Sequence, residues 1–166
     1  MTGEANNSGK DEALSIKVKS DALRLLSVRP RSVAELEERL RLKKHPEEAI
    51  QETLRLLKTQ GLLDDLKFAK FFANSRTHHR PLGRGRLEFE LKKKGLSKQA
   101  VAGALAGLGD VDEKKTARDL VFGRFQKMTG LSDEKKKNRL FGFLKRRGFS
   151  NDVIFPVISE LFKDSR

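Results

Sequence analysis

The sequence predicts an all-α protein made of three tandem three-helix repeats stacked into an elongated array. Three observations carry that prediction. Apolar residues recur at three- and four-residue spacing, while β-branched alternation and Asn-Gly hairpin signals are missing. Helix-start chemistry punctuates the chain at intervals. Most telling, Leu36, Leu40, Lys44, Pro46, Ile50, Leu54 and Leu57 recur 51 residues later as Leu87, Leu91, Gly95, Ser97, Val101, Leu105 and Leu108. After a further 53 residues they return as Leu140, Leu144, Gly148, Ser150, Ile154, Ile158 and Leu161. Each copy has an apolar i, i+4 pair, a break, a helix-start residue and an apolar i, i+4, i+7 stripe, which describes two helices meeting at a tight corner.

The elements follow in order. Residues 1–13 are polar and read as a disordered tail. Repeat one, residues 14–62, opens with a helix over Ala22–Ser27. Ser32-Val33-Ala34-Glu35 then forms a capping box, the Ser hydroxyl and Glu carboxylate each meeting an orphan amide. Pro46 with Glu47 and Glu48 starts the next helix, and Gly61 suits its C-terminal cap. Repeat two, residues 63–110, begins with Asp64 or Asp65 capping a helix over Asp65–Arg76 that carries Phe68, Ala69 and Phe72. Ser97 is a further N-cap. Repeat three, residues 111–166, holds a helix over Glu113–Lys127, and Ser150 caps its last helix.

Composition narrows the function. The chain has 166 residues, 18.8 kDa and no Cys, which excludes disulfides, thiolate zinc sites and cysteine nucleophiles. The N-terminus lacks the apolar core of a signal peptide, and the longest stretch free of polar side chains, Ala100 to Gly109, is far short of the roughly 20 residues of a membrane span. A soluble, cytoplasmic protein without a membrane partner is expected. The net charge of +13 is unevenly spread. Residues 1–66 carry 12 basic and 12 acidic side chains, whereas residues 67–149 carry 22 basic and 8 acidic. That asymmetry points to a polyanionic or acidic partner docking on the middle and later parts of the chain.

The copies share a core but not a surface. With Leu140 and Leu144 inward, Lys135, Arg139, Gly142 and Arg146 face outward. The same face carries Arg86, Phe89 and Lys93 in repeat two but Glu35, Glu38 and Leu42 in repeat one. Phe89 is either buried by a kinked or shifted helix, or stands outward as a stacking platform or partner anchor. Lys92-Lys93-Lys94, Lys135-Lys136-Lys137 and Lys145-Arg146-Arg147 make phosphate contact the favoured reading of the basic segment. No Asn/Gln/Arg set for base readout is evident.

Enzyme chemistry finds no support. Gly83-Arg84-Gly85-Arg86 lacks the strand, the third glycine and the Lys-Ser/Thr of a phosphate-binding loop, and reads as a flexible basic loop entering a helix. His78 and His79 diverge on a helix, and only His45 accompanies them, so neither a metal site nor any other cofactor is expected. No nucleophile stands beside a base.

From about Ala22 to Phe162 the chain resembles the RecX regulators of the recombinase RecA. The resemblance rests first on Ala22-Leu23, Arg29, Arg31-Ser32, Glu35-Leu36 and Leu40. It continues through Gly61-Leu62-Leu63-Asp64-Asp65 with Phe68-Ala69 and Arg76, and through Gly83, Arg86-Leu87, Leu91 and Lys94-Gly95-Leu96. Leu140, Phe143-Leu144, Arg146-Arg147-Gly148-Phe149 and Ile154 complete it. Leu62 replaces the customary aromatic, and Lys44 stands where a glycine would close the first corner. The resemblance implies a curved array lying in the groove of the RecA–DNA filament, and a monomer is expected because no dimerisation element is visible. It implies inhibition of RecA ATPase, strand exchange and co-protease activity, binding to single- and double-stranded DNA, and a place in homologous recombination, DNA repair and the SOS response. The expected RecA- or DNA-binding face comprises Arg76, Arg84, Arg86, Phe89, Lys93, Lys135, Arg139, Lys145, Arg146 and Arg147. A helix-turn-helix-like transcription factor and a purely structural repeat scaffold are the alternatives.

Overall fold

A computed structural model describes residues 4–78, 81–108 and 112–163, with side chains over residues 12–76, 81–108 and 112–163. The described residues form nine helices and no strand: α1 Glu4–Val28, α2 Val33–Leu42, α3 Glu47–Thr59, α4 Asp65–His78, α5 Arg84–Lys93, α6 Lys98–Ala106, α7 Glu113–Gln126, α8 Asp133–Arg146 and α9 Asn151–Lys163. They group as three trios, each packed around its own core. Leu36, Leu40, Ile50, Leu54 and Leu57 meet Val18 and Ala22 of α1 in the first. Leu87, Leu91, Val101 and Ala104 meet Ala69 and Ala73 of α4 in the second. Leu140, Leu144, Ile154 and Ile158 meet Ala117 and Val121 of α7 in the third. The repeated leucine stripes are therefore three separate cores, and the principal helix packing lies within trios. The accessible surface of 11207 Å² exceeds the roughly 8300 Å² of a compact monomer of this mass, as an extended array requires.

Local chemistry sets the boundaries. Ser32 accepts from the Glu35 amide at 3.1 Å while Glu35 reaches back to the Ser32 amide at 3.3 Å, completing the capping box. Of the two candidate caps before α4, Asp64 does the capping, accepting from the amides of Leu66 and Lys67. Asp65 is turned elsewhere, to the amide of Val33 in the preceding repeat. Ser97 caps α6 through the Ala100 amide, and Ser132 and Asp112 cap α8 and α7 in the same way.

The first helix, α1, is described from Glu4, so residues 4–13 of the expected tail fall within its bounds. Once Val18 and Ala22 are packed, each residue added N-terminally gains a hydrogen bond without a new nucleation step.

Each α2/α3-type corner turns on a left-handed residue: Lys44 (φ 62°), Gly95 (φ 77°) and Gly148 (φ 85°). Lys44 is the non-glycine member because its corner receives no other repeat of the described chain. Gly95 and Gly148 sit against the preceding repeat, where a Cβ would come closer than 3.0 Å to Ala34 and Arg86 respectively.

Candidate nucleic-acid interface

The two joints between repeats share one design. In joint one, the corner Lys94-Gly95 seats on the start of α2: Ser32 Oγ donates to the Lys94 carbonyl at 2.7 Å, and the Val33 amide donates to Asp65 at 2.9 Å. In joint two, the corner Arg147-Gly148 seats on the start of α5. The Gly83 amide donates to the Arg147 carbonyl at 2.9 Å, the Gly85 amide to the Gly148 carbonyl at 3.2 Å, and the Arg84 amide to Glu113 at 2.7 Å. Arg147 also donates to the Pro81 carbonyl at 3.0 Å. Gly83-Arg84-Gly85-Arg86 is thus not a flexible loop. Gly83 is the N-cap of α5, and both glycines permit the close approach of the Gly148 backbone.

Joint two opens as a groove of about 700 Å³ lined by Arg76, Leu82, Gly85, Arg86, Phe89, Glu90, Lys145, Arg146, Arg147 and Gly148. Five cations from two repeats line it with one carboxylate, Glu90, which takes Arg86 at 3.2 Å and Arg76 at 3.5 Å. Phe89 is 55% exposed, with the Arg86 guanidinium 5.2 Å from its ring centre, so of the two readings of this residue the outward one holds. An adjoining hollow of about 360 Å³ shares Arg76, Arg86, Phe89 and Glu90 and adds Lys93. A planar guanidinium set beside an exposed ring can hold phosphates and stack a base or an apolar side chain.

Seven of the ten expected face residues are therefore brought together: Arg76, Arg86, Phe89, Lys93, Lys145, Arg146 and Arg147. Arg84 is not. Two helical positions from Arg86, it points away and donates to the Leu105 carbonyl at 3.1 Å. Lys135 and Arg139 are exposed on the Arg146 face of α8, about 16 and 10 Å along the axis from Arg146, and line neither hollow. Sequence reasoning missed Glu90 and the locking role of Lys94. Both were accessible from one comparison: the pair Glu35/Arg39 of repeat one is reversed as Arg86/Glu90 in repeat two.

Joint one shows what that reversal does. Glu35 accepts from Lys94 at 2.7 Å and from Arg29 at 3.3 Å. Burial works against its charged form, but those hydrogen bonds from Arg29 and Lys94 prevail and hold the carboxyl at about 2. The Lys94 ammonium also lies 5.0 Å from the Phe72 ring centre. Among the described residues no group of three His, Asp or Glu side chains could hold a metal, and His79 lies outside them. His45 instead bonds Asp21 at 2.9 Å. No described helix is long and apolar enough to cross a membrane.

Fold and groove together define an all-α array of three-helix repeats with a cationic groove at its second joint. Its three segments match the RecX models in order: the first three-helix domain over residues 19–55, the second over 64–105 and the third over 112–158. The chain is 37% identical over 142 residues to Regulatory protein RecX of Streptomyces coelicolor, covering 86% of this chain and 76% of that one. It is 34% identical to Regulatory protein RecX of Chlorobium phaeobacteroides, covering 86% and 91%. The crystal structure of RecX from Lactobacillus salivarius superposes with a TM-score of 0.81 at 25% identity, over 90% of this chain and 97% of that one. The chain belongs to the RecX family of regulatory proteins.

Proposed function

We propose that this protein is a non-enzymatic regulator of the RecA filament. It binds the RecA–DNA complex and inhibits ATP hydrolysis, strand exchange and co-protease activity, with the joint-two groove meeting DNA phosphates. The observation carrying the reading is the convergence of Arg76, Arg86, Lys145, Arg146 and Arg147 beside exposed Phe89, with one carboxylate among them. A groove with that imbalance attracts a polyanion, and its cations come from two repeats, so a ligand there spans the joint. Phe89 supplies an apolar contact that charge alone does not, suited to a protein-coated DNA.

The test is RecA–single-stranded-DNA ATPase with added wild type or Phe89→Ala, beside a salt titration of binding to bare DNA. Wild type is expected to lower ATP hydrolysis. Phe89→Ala should weaken that inhibition more than bare-DNA affinity, with folding stability changed by less than about 0.5 kcal/mol because the ring is exposed. No effect of wild type on the ATPase, with tight binding to one DNA sequence, would favour a transcription factor instead.

A further inference from the structure

The two joints are superposable in design but opposite in charge at one place. In joint one the chain supplies its own anion: Glu35, on the first turn of α2, bridges to Lys94 on the docking corner. In joint two the position of Glu35 is Arg86 and that of Lys94 is Arg147, so both matching positions are cationic, and both line the groove. The groove's carboxylate, Glu90, is on the same helix as Arg86 and pairs with Arg76 and Arg86, both of repeat two, while Glu113 of repeat three is taken by the Arg84 amide. The ion pairs of Glu90 stay within repeat two, whereas Lys94–Glu35 crosses joint one.

We propose that joint two is completed by an anion from outside the chain: a nucleic-acid phosphate held between Arg86 on one side and Arg146 and Arg147 on the other draws repeats two and three together as Glu35 draws repeats one and two. The proposal rests on the reading of the groove as a phosphate site and adds to it a mechanical consequence. Without the anion, like charges on the two lips favour a range of openings. With it, charge-assisted hydrogen bonds to both lips select the closed ones. The hydrogen bonds of Gly83 and Gly85 at the base of the seam act as the hinge.

The absence of Cys makes the chain suited to paired spin labels. Ala102→Cys with Ser159→Cys reports across joint two, and Arg55→Cys with Ala102→Cys across joint one; all three positions are exposed. Distance distributions are measured for the full chain alone, with a 20-nucleotide oligo-dT, and with inorganic triphosphate. The joint-two distribution should be broad in the free protein and narrow with either probe, and the joint-one distribution should stay unchanged. Arg86→Glu recreates Glu35 at joint two. It should narrow the distribution without any probe and lower oligo-dT affinity about tenfold, while Lys58→Glu, on α3, does neither. Oligo-dT that binds without narrowing the joint-two distribution would overturn the inference and leave the phosphate-site reading standing. Failure of oligo-dT to bind would remove both. If oligo-dT narrows the distribution and triphosphate does not, bases rather than phosphates close the seam, which also overturns the proposal.

Discussion

Replacing Gly148 with Ala separates the cost of backbone strain from the cost of opening a joint. Gly148 has φ 85°, and an added Cβ would come closer than 3.0 Å to the amide nitrogen, Cα and Cβ of Arg86, so the joint must part. Gly61 (φ 66°) and Gly130 (φ 73°) share the left-handed conformation, but a Cβ on either meets nothing within 4 Å. Gly61→Ala and Gly130→Ala should therefore each cost only the left-handed penalty, about 1–2 kcal/mol. Gly148→Ala adds the loss of joint-two hydrogen bonds. If only those of the Gly83 and Gly85 amides go, the addition is about 2 kcal/mol; if the Arg84–Glu113 and Arg147–Pro81 bonds follow, about 4 kcal/mol, at about 1 kcal/mol net each. Urea unfolding followed by circular dichroism gives the totals. Amide hydrogen exchange gives the location, since the Gly83 and Gly85 protons lie in the seam and should exchange fast in Gly148→Ala alone. Equal losses for Gly148→Ala and Gly61→Ala, with the Gly85 amide still slow to exchange, would refute the joint.

Two further outcomes are expected. Glu35 has its carboxyl pKa lowered from an ordinary 4.5 to about 2, so its contribution is fully present above the unfolded value and is lost as pH falls from about 4.5 toward 2; Glu35→Gln should flatten that part of an acid titration of stability. Leu140→Ala, in the core of repeat three at 0% exposure, should cost about 3–5 kcal/mol and expose amides of α7, α8 and α9 to exchange while leaving those of α2 and α3 protected, as separate cores require.

The parts of the fold written in local sequence were legible; those written in a contact with another repeat were not. Ser32 with Glu35 announced α2, and the i, i+4 leucines gave the interior faces of all three corner pairs, because caps and stripes act within a few residues. Gly83 and Gly85 looked like a loop because their partner, Gly148, lies in the next repeat. Asp64 and Asp65 could not be told apart for the same reason: Asp65 is taken by Val33 across joint one. At the site, the outward register of Arg86, Phe89 and Lys93 followed from helical spacing. Arg84 stands outside the groove because a rotation of about 200° separates it from Arg86, which adjacency in sequence hides.

The division of labour between cores and joints decides where this array can move. Each repeat buries its own apolar cluster, so deforming a repeat sacrifices packing over many side chains. Changing the angle between repeats disturbs only a few hydrogen bonds and whatever charges face each other across the seam. At joint one those charges are Glu35 and Lys94, each about a fifth exposed and 2.7 Å apart, and bending there would separate a screened-off ion pair. At joint two the groove holds five cations against the one carboxylate of Glu90, which pairs within repeat two, so on the proposed reading bending there relieves repulsion. On the proposed reading, the joint that opens is the one that carries the cationic groove. Under the proposed anion bridge, a ligand that neutralises the groove changes the stiffness of the array, so binding and shape are thermodynamically linked at that joint while the three cores stay intact.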